Sequence, residues 1–180
     1  MAYEPADRVT IEKESQSERL LALEIRSWKF GYAVVEGTGV LDWGVAWFPT
    51  GESSIAIQRL AFLLKIHAPS TIIARRTRSA NHESSKSAAQ VLRRIGDDLK
   101  RRSVRFAVLA RRDVRKFFVE QGCRNKHDIA VAVADRYSQL KPRIPRFRRA
   151  WDPESGITAV FDAVATAVAF EALQGPTSNG

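Results

Sequence analysis

The stretch LLALEIRSWKFGYAVVEGTGVLDWGVAWF, residues 20–48, decides how this chain folds. Its opening run LLALEI (20–25) is apolar on both faces until Glu24 interrupts it, the pattern of a central strand covered on two sides. FGYAVVE (30–36) follows after four residues, and the turn EGTG supplies glycines for positive φ. VLDWGVAWF (40–48) then reads as a third, aromatic-rich strand. Connections this short predict an antiparallel meander.

Downstream the period changes. SSIAIQRLAFLLKIH (53–67) carries apolar residues at helical spacing, and STIIA (70–74) is a short β-branched run. SSKSAAQVLRRIGDDLKRR (84–102) predicts a helix, VRFAVLA (104–110) a strand, and DVRKFFVEQG (113–122) a short helix stopped by Gly122. KHDIAVAVADRYSQL (126–140) is helical again. KPRIPRFRRAWDPES (141–155) reads as a proline-broken basic loop, and GITAVFDAVATAVAFEAL (156–173) as a helix apolar nearly all round, hence buried. A meander followed by α/β crossovers predicts an α/β domain: a mixed sheet with helices on both faces. The domain is expected to run over residues 19–173, with polar tails at 1–18 and 174–180.

Composition sets outer bounds. A chain of 180 residues fits one domain, and at that size about 70% of the unfolded surface is buried, enough to fold without a disulfide or a metal. The single cysteine, Cys123, forms no internal disulfide and fits a reducing compartment. No signal peptide is legible at the start and no run approaches the ~20 apolar residues that span a bilayer, so a cytoplasmic protein without membrane attachment is expected.

Charge is more telling. Lys and Arg number 29 against 20 acids, a net of +9. Between Lys100 and Arg149 stand 16 of those cations and four acids, a net of +12. A positive field concentrated in this way attracts polyanions, and nucleic acid, DNA by the resemblance below, is the expected partner. The basic loop Lys141–Trp151 holds Lys141, Arg143, Arg146, Arg148 and Arg149, suited to phosphates. Its Phe147 and Trp151 suit base stacking, or else pack back onto the domain. Arg75, Arg76 and Arg78 extend the positive surface at the same end of the sheet.

Several short motifs stand in a familiar order. LALEIRSWKFGYAVVE resembles the opening strand and hairpin of the RuvC Holliday junction resolvases, in the RNase H-like superfamily. VFDAVATAVAF resembles their closing helix, and Asn125-Lys126-His127-Asp128-Ile129-Ala130 resembles a Lys-led helix of these relatives. The resemblance implies a nuclease in which carboxylates from the first strand, the fourth strand and the last helix hold two Mg²⁺ ions. Two such ions stabilise the attacking and leaving oxygens of a phosphodiester. It also implies a two-fold dimer.

Carried over residue by residue, the acidic set is incomplete. Glu24 stands at the first-strand acid, and Asp162 at the first acid of the closing helix. The second acid of that helix is Ala165, and the fourth strand ends Ala74-Arg75-Arg76 where an acid belongs. Arginines there repel Mg²⁺. Glu154, just before the last helix, could join the site or cap the helix; Glu83 and Asp128 are weaker candidates. His67, His127 and Cys123 lack zinc-ligand spacing, and no glycine-rich phosphate loop occurs.

Two functions lead at this stage, ahead of an interaction or scaffolding module whose positive face meets an acidic protein. One is a Mg²⁺-dependent endonuclease with a rebuilt site of Glu24, Asp162 and Glu154, the first two holding the metal. The other is a non-catalytic nucleic-acid-binding protein in which Arg75 or Arg76 pairs with the old acids. In either, Arg75, Arg76, Arg78, Lys126 and the basic loop hold the backbone.

Overall fold

A computed structural model describes residues 18–76, 83–147 and 155–174 of this chain. Of the expected tails 1–18 and 174–180, all but Glu18 and Gln174 lie outside these residues, as do Arg78, Arg148, Arg149, Trp151 and Glu154. In chain order the elements are β1 (Arg19–Ile25), β2 (Lys29–Glu36), β3 (Gly39–Trp47), α1 (Ser53–His67), β4 (Thr71–Arg75), α2 (Glu83–Arg101), β5 (Arg105–Leu109), α3 (Arg111–Glu120), α4 (Lys126–Arg136) and α5 (Gly156–Gln174). A 3-10 segment, Ser138–Arg143, follows α4.

The five strands form one mixed sheet in the order β3-β2-β1-β4-β5. β1–β2 and β2–β3 are antiparallel, and β1–β4 and β4–β5 are parallel, as the meander and crossovers predict. Gly37, at φ +56°, turns the β2–β3 hairpin. β1 occupies the centre, and its alternation divides the core. Leu20 and Ala22 face a layer built from α3, α4 and α5; Leu21, Leu23 and Ile25 face α1 and α2.

α5 lies across β1 and β2 and is buried continuously from Ala159 to Phe170. Its close seat depends on Gly31 in β2, where a Cβ would fall 2.4 Å from the Ala159 carbonyl carbon. With 19 residues and a mean hydropathy of 1.6, α5 also has the length and composition of a membrane span, contrary to the expectation that no run comes near one. Its apolarity is accounted for by burial against the sheet.

The region 126–140 departs from expectation. α4 stops at Arg136, Tyr137 turns to φ −123° and ψ 91°, and the chain continues as the 3-10 segment through Pro142. Proline at 142 supplies no N–H and its ring would collide with the carbonyl four residues back, so the α-helix cannot run on. Tyr137 and Leu140, both fully buried, anchor the break. Lys141 and Arg143 therefore sit on a short helix, not on an irregular loop.

Candidate functional site: an ion cluster and a basic cleft

Glu24 points to the α5 face at the C-terminal end of β1, in phase with Leu20 and Ala22. The register Leu23↔Ala74 places Arg75 of β4 beside it, and Arg75 is in phase with Ile73 on the same face. Asp162 descends onto the pair from the second turn of α5. All three residues are buried.

Arg75 grips Glu24 with two hydrogen bonds: Nε donates to Oε2 at 2.8 Å and Nη2 to Oε1 at 2.7 Å. The same Nη2 lies 3.0 Å from Asp162 Oδ2. Arg26, just past β1, adds a second guanidinium. Its Nη2 donates to Asp162 Oδ2 at 3.0 Å, and its Nε lies 3.1 Å from Glu24 Oε1. Lys126, the first residue of α4, brings its Nζ to 3.5 Å from Asp162 Oδ2. Two carboxylates thus meet three cations, a cluster of net charge +1.

Burial pushes the Glu24 carboxyl above its usual range; Arg75 pulls it down, Asp162 raises it further, and Arg26 pulls it down. For Arg75, burial works against the charge, but Asp162 and Glu24 more than offset it and hold the guanidinium protonated at any working pH.

These residues do not fit the expected Mg²⁺ centre. Hard cations need carboxylate oxygens free to coordinate. Here both Glu24 oxygens accept from Arg75, and Asp162 Oδ2 faces Arg26, Arg75 and Lys126. Ala165, at the position of the missing helix acid, stands three residues along from Asp162 and contributes a methyl group. Among the described residues no three acids, histidines or cysteines are grouped to hold a metal. Glu24 and Asp162 come together as expected for ligands, but around an arginine.

The cluster lines, through Arg75, Lys126 and Asp162, one side of a cleft of about 280 Å³ between α3, α4 and α5. Its charged rim is Arg111, Arg115, Arg124 and Lys126, and its floor includes Val114, Cys123, Ile129 and Ala165. Asn125 caps α4 by accepting from the His127 and Asp128 N–H groups at 2.8 and 3.0 Å, which fixes Lys126 at the rim. Asp128 accepts from the Arg124 N–H at 2.8 Å and so braces the loop.

The sequence reading missed Arg26, Arg111, Arg115 and Arg124. The spacing of Arg111 and Arg115, four apart on one helix, was the available signal. Of the expected phosphate contacts, Arg75 is turned inward and spent on carboxylates, so it is not a surface group. Arg76, Lys126, Lys141, Arg143 and Arg146 are exposed. Phe147 does not pack into the core; it is exposed and rests edge-on against His127, centroids 5.8 Å apart.

The strand order and the helices on both faces define an RNase H-like α/β fold. Solved structures carry the likeness further, although no family model and no curated protein matches the chain. Thermus thermophilus RuvC in complex with a Holliday junction substrate superposes with a TM-score of 0.63 at 15% identity, over 88% of this chain and 96% of that one. A second T. thermophilus RuvC structure gives 0.63 at 17% identity, over 87% and 96%. The yeast mitochondrial Holliday junction resolvase Ydc2 gives 0.60 at 11%, over 86% and 79%. At such identities the likeness shows the fold.

Proposed function

We propose that this chain is a non-catalytic nucleic-acid-binding protein on the RuvC fold, in which an arginine-centred ion cluster stands where the family's resemblance implies metal ligands. The observation that carries the reading is the seat of Arg75, hydrogen-bonded to both oxygens of Glu24 and within 3.0 Å of Asp162. A net-positive cluster repels divalent cations and favours phosphate. The cleft next to it adds Arg111, Arg115 and Arg124, and the exposed Arg143 and Arg146 continue the cations beyond α4.

Each part has a stated task. Glu24 and Asp162 hold Arg75 and Arg26 in place, so the carboxylates act as struts for a cationic surface. Lys126 and the cleft arginines take the backbone phosphates. Such contacts position a strand without reading its sequence. The T. thermophilus RuvC structure holds a Holliday junction, which makes branched DNA the first substrate to test.

The test is binding of labelled duplex and four-way junction DNA, followed by anisotropy across a salt series, with EDTA or with Mg²⁺. The affinity is expected to be no higher with Mg²⁺ than with EDTA and to fall by about a hundredfold to a thousandfold between about 50 and 200 mM salt. Binding that needs the divalent ion and vanishes in EDTA would overturn the reading.

A further inference from the structure

On the other flank of the ion cluster, over the β2–β3 side of the sheet, two tryptophans stand in the open. Trp28 is 44% exposed and Trp47 is 51% exposed, unusual for rings of this size. Their centroids are 4.8 Å apart with the planes tilted by 40°. Lys29 Nζ lies 4.5 Å from the Trp28 ring centroid and 4.9 Å from that of Trp47, and Lys29 is buried. The ammonium lies over both rings, a cation–π contact that fixes the pair.

Strand register locates this pair. Lys29 pairs with Trp47 and Gly31 with Val45, so Lys29 and Trp47 share the face on which Gly31 meets α5. That is also the face of Glu24, and the β1–β2 turn carrying Trp28 leaves the same end of β1. Gly156, the first residue of α5, lies against the Trp47 ring, where a Cβ would sit 3.6 Å from Cζ2. The start of α5 therefore separates the tryptophan pair from Asp162 by less than two turns of helix.

We infer that Trp28 and Trp47 form a stacking platform for an unpaired nucleobase, the base of a single strand or of a branch point whose backbone runs across the ion cluster into the basic cleft. This rests on the nucleic-acid reading above. Three features single out a base as the occupant. Each ring offers its exposed part as an aromatic surface, and stacking on such surfaces is tolerant of sequence because every base has a π-face. The buried Lys29, its ammonium over both rings, keeps the pair set in one arrangement before a base arrives. The cationic cleft lies on the same face, beside the ion cluster that the platform flanks on its other side. Paired bases present no such face, so the platform confers a preference for unpaired over duplex strands.

The experiment titrates wild type, Trp47→Ala, Trp28→Ala and Trp47→Phe with oligo(dT), a four-way junction and a blunt duplex, reading tryptophan emission and the anisotropy of labelled DNA together. Circular dichroism checks that each variant is folded. Oligo(dT) is expected to quench wild-type emission. Trp47→Ala should lose about tenfold in affinity for oligo(dT) and less than twofold for the duplex, and Trp47→Phe should keep most of both. If Trp47→Ala does not fold, Trp28→Ala carries the same expectation. Oligo(dT) that binds without quenching, and binds the alanine variants as well as wild type, overturns the platform and leaves the nucleic-acid reading standing. Equal losses for duplex and single strand also overturn it. Wild type that binds none of the three overturns both.

Discussion

Replacing Arg75 with methionine should destabilise the protein by about 3–5 kcal/mol at pH 7, because it strands two buried carboxylates. Methionine fills much of the same volume, so the loss reports charge more than cavity. Arg26 and Lys126 remain, but Arg26 is part-exposed and Lys126 stands 3.5 Å from Asp162, so neither replaces a bidentate partner. The pH dependence gives the deficit a signature. Burial already holds Glu24 above its ordinary range, and removing Arg75 removes the largest influence that lowers it. A carboxyl raised in the folded state binds protons more tightly there than in the unfolded chain, so its stability contribution grows as pH falls from its folded value towards 4.5. Arg75→Met should therefore be weakest near pH 7 and recover towards wild type near pH 5. Urea melts at the two values check this, and a deficit that stays constant with pH would contradict the ion-cluster account.

The second large effect concerns binding. Changing Arg111, Arg115 and Arg124 together to alanine removes three cations from the cleft rim while leaving Val114, Ile129 and the Asn125 cap in place. Each lost phosphate contact lowers affinity by roughly tenfold at about 0.1 M salt, so the triple variant should bind duplex DNA about a hundredfold to a thousandfold more weakly. The slope of log affinity against log salt should become shallower by about three. Surface arginines contribute little to stability, so the melting curve should barely move. A triple variant that binds as wild type would show that DNA runs elsewhere, over Arg143 and Arg146 for example.

Much of this architecture was legible because the strands declare their burial. β1 is apolar on both sides until Glu24, which marked it as central and marked Glu24 as the residue needing a partner. In β4, Arg75 shares the α5-facing phase of Ile73, whereas Arg76 lies one residue past the strand and is exposed. The choice stayed open because the register of β1 against β4 is a long-range fact that local pattern does not carry. For the same reason Arg26 and Lys126 could not be assigned to the cluster. They are 136 and 36 residues from Asp162 in sequence and meet it only because α5 folds back over β1 and α4. The end of α4 was misjudged for a local reason, the weight of Pro142 and of the buried Tyr137 against a continuing apolar period. Trp28 and Trp47 looked like parts of a turn and an aromatic strand; their exposure depends on β3 lying at the sheet edge.

The central claim is that Arg75 has taken the place of metal at this site, and phosphodiester cleavage tests it most directly. Labelled four-way junction, duplex and single-stranded DNA would be incubated with wild type in Mg²⁺ or Mn²⁺, beside Asp162→Asn. The account predicts that DNA is bound and left intact in either metal. Metal-dependent cutting by wild type that is abolished in Asp162→Asn would contradict it and make Asp162 a ligand after all.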